Sequence, residues 1–170
     1  PYITEDEIKS RTKELAAQIS QDYKGKQVLM ISILKGAVVF HADLMRAVDL
    51  DVAIDFMVVS SYGDGTESSG KVNIVKDLSI DIAGRDVLIV EDILDSGNTL
   101  SAILEILRSR GVNSLKICAL LDKPSRRKSF VPLDYTGFQI PDEFVVGYGL
   151  DYQEKHRNLP YIGLVEFIED

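Results

Sequence analysis

The sequence contains a single cysteine and no tryptophan. Cys118 has no partner for an intramolecular disulfide, and one thiol cannot form a cysteine-rich metal site. Its neighbours in LKICALL are apolar, so we expect a buried and unreactive thiol. This cysteine usage is typical of a cytoplasmic protein.

Long hydrophobic runs and an excess of positive charge are also missing. No apolar run approaches the ~18–20 residues that a membrane-spanning helix needs, and the first ten residues, PYITEDEIKS, lack a signal-peptide pattern. The 19 basic residues face 27 acidic ones, which gives a net charge of −8. This negative charge repels nucleic acid, so we predict no nucleic-acid partner, and we interpret the basic run 126–128 as a solvated loop. Because long apolar runs are missing, we predict no membrane partner either.

Strand and helix patterns alternate along the chain. Helices are predicted at 5–20, 37–47 and 99–110, and strands at 28–34, 52–60, 72–75, 87–90 and 115–121. Shorter β segments follow at 135–140, 144–146 and 162–167. This alternation predicts one α/β domain over residues 1–170, with a mostly parallel central sheet flanked by helices. Ligands of such sheets bind beyond the carboxyl ends of the strands, here after residues 34, 90 and 121.

The segment VLIVEDILDSGNTLSAILEIL, residues 87–107, has the pattern of a phosphate-binding turn. Ser96, Gly97, Asn98 and Thr99 lie where a buried strand passes into a helix. The N-terminus of a helix offers unpaired backbone N–H groups and a positive dipole end to an anion. Glycine permits close approach, and the two hydroxyls add donors, so this turn is predicted to hold a terminal phosphate.

Three carboxylates precede that turn. Glu91 and Asp92 follow directly after the predicted strand, and Asp95 lies at the mouth of the turn. The first two are placed to accept hydrogen bonds from the hydroxyls of a sugar or to position a hydrated magnesium ion. Asp95 is placed to move a proton. The residues themselves therefore predict a site for a phosphate and a cation.

The same segment resembles the signature of the type I phosphoribosyltransferases, which bind 5-phosphoribosyl-1-pyrophosphate (PRPP). VLIVEDILDSGNT is similar to the version found in the bacterial 6-oxopurine branch. SILKGA resembles the pyrophosphate loop of that branch, SSYG followed by SSGKV its flexible closing loop, and LLDKP its purine-contacting lysine. FVVGYGLDYQEKHRNLPYIG resembles its C-terminal purine-and-metal segment. These matches run in order from about residue 28 to 167.

The resemblance implies a fold and a reaction. The implied fold is a core at about 25–125, a flexible loop at about 61–75 that excludes water, and a small hood from the N-terminus and residues 130–170. The implied reaction, part of purine salvage, moves the phosphoribosyl group of PRPP to N9 of hypoxanthine or guanine and releases pyrophosphate. Magnesium is the implied cofactor, and a homodimer or homotetramer the implied assembly.

The resemblance also implies which residues meet which part of the substrates. The 5-phosphate and ribose are assigned to Asp95, Ser96, Gly97, Asn98, Thr99, Glu91 and Asp92. The pyrophosphate is assigned to Lys35, Gly36, Arg157, Ser61 and Tyr62. The purine is assigned to Lys123, Phe144, Val145 and Asp151, and magnesium to Glu91, Asp92 and Asp151.

Two of these implied roles are chemical. Asp95 is the implied catalytic residue, which faces N7 of the purine and handles its proton, and Lys123 donates a hydrogen bond to the 6-oxo group. The Leu34–Lys35 peptide is implied to be cis. Ala37 departs from the family pattern, which often has a second glycine or a serine there.

Two alternatives remain open at this point. One is a phosphoribosyltransferase that prefers xanthine, and the other is a regulator of the same fold that senses PRPP and binds nucleic acid. Asp95, Lys123 and Asp151 favour an enzyme over the regulator, as does the acidic net charge. The two histidines, His41 and His156, are expected to be structural or solvated rather than catalytic.

Overall fold

The apolar segments of the chain pair side by side in one six-stranded sheet. The computed structural model describes residues 1–61 and 71–168, except for the side chain of Ser61. The strands are β1 (Val28–Ile33), β2 (Val52–Ser61), β3 (Val72–Lys76), β4 (Asp86–Leu94), β5 (Ser114–Asp122) and β6 (Tyr135–Gln139). The helices are α1 (Glu5–Asp22), α2 (Val38–Ala47) and α3 (Asn98–Ser109), and a short 3₁₀ turn spans Pro124–Arg126.

The order of the strands determines where a ligand can bind. The sheet runs β3-β2-β1-β4-β5-β6, and its pairs are parallel except for β2 with β3. The predicted mostly parallel sheet is therefore confirmed. The chain leaves β1 toward β2 and β3, and then returns to the other side of β1 as β4. In open α/β sheets a crevice forms at such a reversal, beyond the carboxyl ends of the strands.

Helices cover both faces of the sheet. On one face, α1 and α2 bury Ile8, Leu15 and Phe40 against β1 and β4, whereas α3 buries Ile103 and Leu107 on the other. Full burial of one such side chain stabilises the fold by about 1.5–3 kcal/mol. Strands β1 and β4 are thus covered on both faces, which is why they read as nearly unbroken apolar runs.

A second, two-stranded sheet forms the hood. It pairs β7 (Val145–Val146) with β8 (Gly163–Leu164) in antiparallel fashion, and Ile3 bridges to Ile162 beside it. Both chain ends therefore contribute to the hood, as the resemblance implied. Residues 135–139, which the sequence grouped with the hood, form β6 at the edge of the main sheet instead.

Strand β4 is longer than the sequence predicted. It continues through Glu91 and Asp92 to Leu94, because Ile93 and Leu94 still pair with β5 and pack against the core. The prediction that the strand ends before the two acids is wrong, and both carboxylates lie within the strand.

Within the described residues, no helix is long and apolar enough to span a membrane.

His41 is a buried structural residue of this core. It lies on α2 with 1% of its surface exposed, and its Nδ1 contacts the hydroxyl of Ser32 on β1. That hydroxyl donates to the Val90 carbonyl on β4 at 2.8 Å, so it accepts from Nδ1–H of His41. His41 Nε2 is buried without a hydrogen-bond partner among the described residues. Burial lowers the pKa of His41 to about 4.

The expectation that Cys118 is buried and unreactive is also confirmed. Cys118 is fully buried on β5, and burial raises the pKa of its thiol to about 12, so it stays protonated and unreactive.

The buried histidine predicts a specific acid sensitivity of the fold. An unfolded histidine binds a proton near pH 6.5, whereas folded His41 does so only near pH 4. The stability that neutral His41 contributes is therefore complete above pH ~6.5 and lost as the pH falls toward 4. Urea unfolding measures the free energy of unfolding at each pH. When the pH is lowered from about 7.5 to about 4.5, this free energy should fall by about 2–3 kcal/mol more for the wild type than for His41→Gln.

The exposed histidine provides the control. When the pH is lowered, the free energy of unfolding of His156→Gln should fall by the same amount as that of the wild type, since His156 lies at the surface. Parallel losses in wild type and His41→Gln would contradict the burial of a neutral imidazole.

Candidate active site

Three loops meet at the carboxyl ends of β1, β4 and β5. Residues 34–37 follow β1, residues 95–97 follow β4, and Lys123 follows β5. The Lys123 N–H donates to the Leu94 carbonyl at 3.0 Å, which draws the end of β5 to the end of β4. Most of the predicted site residues are therefore brought to the crevice where the strand order reverses.

The turn after β4 is shaped by a glycine at the start of α3. Gly97 is the N-cap of α3 at φ +79°, a conformation that other residues rarely adopt, and a Cβ there would lie 2.8 Å from the Ser129 carbonyl oxygen. Glycine has no capping side chain, and the N–H of Asn98 donates to the Ser96 hydroxyl at 3.3 Å. A cavity of about 280 Å³ lies beside it, lined by Ser96, Gly97 and Thr99 together with Glu91.

Residues outside the turn support it. The Ser96 carbonyl accepts from the N–H groups of Lys128 at 2.8 Å and Ser129 at 3.0 Å. The Ser129 hydroxyl donates to the Asn98 side-chain oxygen at 2.6 Å. The side chain of Asn98 thus anchors the turn to the 127–129 segment.

Arg127 belongs to this support, which the sequence interpretation missed. Its guanidinium pairs with Asp122 at the end of β5, and its Nε donates to the Asp95 carbonyl at 3.1 Å. The interpretation of 126–128 as a solvated loop is therefore wrong for Arg127, although Arg126 and Lys128 are exposed. The available signal was position, since this run follows β5 at the same edge as the phosphate turn.

The acidic pair of β4 is strongly perturbed. Successive strand residues project to opposite faces, so Glu91 lines the cavity beside the turn, whereas Asp92 packs against Gly36. A Cβ at position 36 would overlap the Asp92 carboxylate. Burial raises the pKa of Asp92 to about 6 and, with the charge of Asp92 beside it, raises the pKa of Glu91 well above its usual range.

Among the described residues, no side chain donates a hydrogen bond to either carboxylate, although Asp92 Oδ1 accepts from the Ile93 N–H at 2.9 Å. Glu91 Oε1 is buried with no hydrogen-bond partner among residues 1–61 and 71–168. In the same part of the chain, no group of three or more His, Cys, Asp or Glu side chains is arranged to hold a metal by itself. Glu91, Asp92 and Asp151 therefore do not form one ligand set, and the pair fits a hydrated cation that takes its other ligands from a substrate.

Asp95 and Lys123 face each other across the crevice. Lys123 Nζ lies 3.9 Å from Asp95 Oδ1, and the lysine side chain is 9% exposed against 48% for the aspartate. At this distance the two groups attract each other but share no hydrogen bond. Each therefore keeps its hydrogen-bonding capacity for a ligand that lies against both side chains.

The opposite wall joins the turn after β1 to the hood. The Leu34–Lys35 peptide is cis, as the resemblance implied. Gly149 packs so closely on Gly36 that a Cβ at 149 would overlap the Gly36 carbonyl. Ala37 adopts φ −79°, which any residue tolerates, so the missing glycine does not disturb this turn.

Charged side chains extend from this wall. Arg157 donates to the carbonyl of Gly149 at 2.8 Å and pairs with Asp151 at 3.4 Å and Glu154 at 2.9 Å. Lys35 pairs with the same Glu154 at 3.4 Å. The two predicted pyrophosphate cations therefore lie together.

The remaining predicted residues are only partly located. Phe144 is 45% exposed at the start of the hood, and Val145 is buried in β7. The side chain of Ser61 and the whole of Tyr62 lie outside the described residues.

Comparisons with known proteins agree with this geometry. Residues 4–153 match the sequence profile of the phosphoribosyl transferase domain. Hypoxanthine-guanine phosphoribosyltransferases from Staphylococcus aureus (strain Mu50 / ATCC 700699) and Staphylococcus epidermidis are 56% and 55% identical, over 96% of this chain and 92% of theirs.

Solved structures agree as well. The crystal structure of a hypoxanthine phosphoribosyltransferase from Staphylococcus aureus superposes with a TM-score of 0.95 at 55% identity, covering 96% of this chain and 89% of that one. That of a hypoxanthine-guanine phosphoribosyltransferase from Bacillus anthracis gives 0.93 at 49% identity, covering 96% of each chain.

The raised pKa of Asp92 predicts that removing its charge makes the protein more stable but less active. Since the folded pKa of Asp92 is raised to about 6, the stability gained from its protonation is complete at low pH and lost as the pH rises through 6. Asp92→Asn keeps the acceptor that the Ile93 N–H uses at 2.9 Å but removes the charge. At neutral pH, without magnesium and substrates, the variant should be more stable than the wild type by about 1–3 kcal/mol in free energy of unfolding. This corresponds to a rise of about 3–8 °C in Tm.

The same variant should lose at least about tenfold in kcat/KM, because a charge-assisted hydrogen bond to substrate becomes a neutral one. Asp49→Asn removes an exposed carboxylate and should change neither quantity. A destabilised Asp92→Asn protein at neutral pH would show that the buried charge has a stabilising partner.

Proposed function

The chain belongs to the phosphoribosyltransferase family and is a purine-salvage enzyme, and from this premise we propose that its bases are the 6-oxopurines hypoxanthine and guanine. In the reaction, the bond from C1 of the ribose to the pyrophosphate oxygen breaks and a bond from C1 to purine N9 forms. The base loses a proton, and the products are a nucleoside monophosphate and pyrophosphate. Positive charge develops on the sugar in the transition state.

The observation that most supports a 6-oxopurine is the 3.9 Å distance between Lys123 Nζ and Asp95 Oδ1. The 6-oxo oxygen and N7 are neighbours on one edge of the purine, so these two side chains are spaced to meet both at once. Lys123 donates to the oxygen, and Asp95 manages the proton at N7. Lys123 is nearly buried, so a 6-amino group in place of the oxygen would leave its ammonium without an acceptor.

The phosphate and sugar of PRPP are assigned to the end of β4. The N–H groups at the start of α3 and the hydroxyls of Ser96 and Thr99 bind the 5-phosphate, which the dipole of α3 also favours. Glu91 and Asp92 accept hydrogen bonds from the ribose hydroxyls. A carboxylate with a raised pKa gains from such donors, because they replace the water that burial removed.

The leaving pyrophosphate is assigned to the wall formed by residues 35–36 and the hood. The N–H of Gly36 and the side chains of Lys35 and Arg157 supply donors and positive charge. Glu91 and Asp92 would help to hold one magnesium ion and Asp151 a second, with the substrate supplying further ligands to each. When bound, magnesium supplies charge neutralisation to the pyrophosphate.

Asp95→Asn should separate chemistry from binding. A positioned acid or base contributes roughly 10²–10⁴-fold in rate, and asparagine cannot exchange the N7 proton. We expect kcat to fall by about that factor, while Kd for the nucleoside monophosphate changes little because the 96–99 turn is untouched. Near wild-type turnover of the variant would refute the assignment of Asp95.

Lys123 should determine which bases are accepted. The protein, magnesium and PRPP are incubated in turn with hypoxanthine, guanine, xanthine and adenine, and nucleotide formation is followed with and without a chelator. We expect turnover of hypoxanthine and guanine, rejection of adenine by about 10³-fold or more, and loss of turnover with the chelator. Lys123→Met should lower kcat/KM for hypoxanthine and reduce its advantage over adenine.

The exposed Lys128 gives a matched control, because Lys128→Met removes the same charge outside the crevice. Equal use of adenine and hypoxanthine by the wild type would contradict the 6-oxopurine assignment. A clear preference for xanthine would replace it.

A further inference from the structure

Three aromatic rings form a cluster at the exposed end of the hood. The aromatic triad consists of Phe144, Tyr152 and Phe167, whose ring centroids lie 5.6, 6.0 and 5.7 Å apart, each ring contacting the other two. The interplanar angles are 90°, 69° and 69°, so each contact is of the edge type and none is a parallel stack. Such contacts stabilise the relative orientation of the rings.

The triad joins three separate segments of the chain. Phe144 precedes β7, Tyr152 follows Asp151, and Phe167 lies in residues 165–168 beyond β8. The Val165 N–H donates to the Phe144 carbonyl at 2.9 Å, so the backbone of the last segment is tied to Phe144 as well. Two of the three segments carry residues assigned to the purine, whereas Phe167 has no assigned role.

The exposure of the rings argues against a purely structural cluster. Phe167 is 64% exposed and Phe144 45%, so most of the ring of Phe167 is in solvent rather than in the core. Because Phe144 is held through edge-type contacts and stays about half exposed, its ring retains surface on which a flat base can stack. A ring that is already oriented loses less side-chain freedom when the base binds.

We propose that Phe167 is a positioning residue for the purine, which it affects through the ring of Phe144. The inference rests on the proposed contact of Phe144 with the base. Phe167 holds the edge of Phe144, with Tyr152 on the other side of the triad, and so keeps the stacking ring in the orientation that the base requires. Its effect should therefore fall on binding of the base and spare PRPP, whose assigned residues in the described chain lie at the ends of β1 and β4 and at Arg157, outside the triad.

Steady-state kinetics of Phe167→Ala tests this directly. We expect KM for hypoxanthine to rise about threefold to tenfold, from the loss of one aromatic contact. KM for PRPP and kcat should change less than about twofold. Phe167→Tyr keeps the ring and should restore the wild-type KM, whereas Phe167→Leu keeps apolar volume without a ring and should not.

Ile168→Ala is the matched control. Ile168 is 89% exposed in the same segment and is not part of the triad, so its truncation should leave all three kinetic constants unchanged. Thermal unfolding of each variant reports on folding, and Phe167→Leu serves as the test variant if Phe167→Ala does not fold.

A double-mutant cycle distinguishes positioning from an independent effect. Phe144→Ala should raise KM for hypoxanthine on its own, and adding Phe167→Ala should then have no further effect. Effects that multiply would overturn the proposal, since Phe167 would act without Phe144, and so would a Phe167→Ala or Phe167→Leu variant with wild-type KM. If Phe144→Ala itself leaves KM for hypoxanthine unchanged, the proposed contact of Phe144 with the base fails, and the proposal fails with it.

Discussion

The burial of two adjacent carboxylates at the end of β4 is the constraint on which the site depends. Glu91 and Asp92 lie inside a strand that is covered on both faces, and burial raises the pKa of each. A fold optimised for stability alone would not place two acids there. Their cost is consistent with a site completed by the hydroxyls of a sugar and a cation, so part of the stability of the apoprotein is given up for substrate binding.

The same crowding explains why the walls of the site are glycine. Gly36 lies against Asp92 and Gly149 lies against Gly36, so a side chain at either position would displace the carboxylate or separate the hood from the sheet. Gly97 has a different reason, since its positive φ and the nearby Ser129 carbonyl leave no room for a Cβ. Close backbone contact thereby brings the β1 turn, the hood and the phosphate turn within reach of one small ligand.

Much of the fold could be predicted from the sequence. The apolar runs of β1 and β4 and their alternation with helices predicted a mostly parallel sheet, and the turn at residues 96–99 follows β4 where the spacing put it. The end of β4 was misplaced because charge reads as a strand terminator, whereas pairing of Ile93 and Leu94 with β5 continues the strand. Arg127 was wrongly predicted to be solvated for a related reason, because a run of basic residues suggests an exposed loop and the sequence does not show that Asp122 pairs with Arg127.

By itself, the sequence determined most of the helices and strands and the position of the turn at residues 96–99, and through resemblance it predicted the residues that meet the substrates. These are local properties, since they follow from periodicity, turn chemistry and motif spacing within short segments. Only the tertiary structure decided that Asp95 and Lys123 lie 3.9 Å apart, that Glu91 and Asp92 face opposite sides of the sheet, and that Phe167 meets Phe144. These pairings join residues that are far apart in sequence or depend on burial by other segments, and such information arises only when the chain packs.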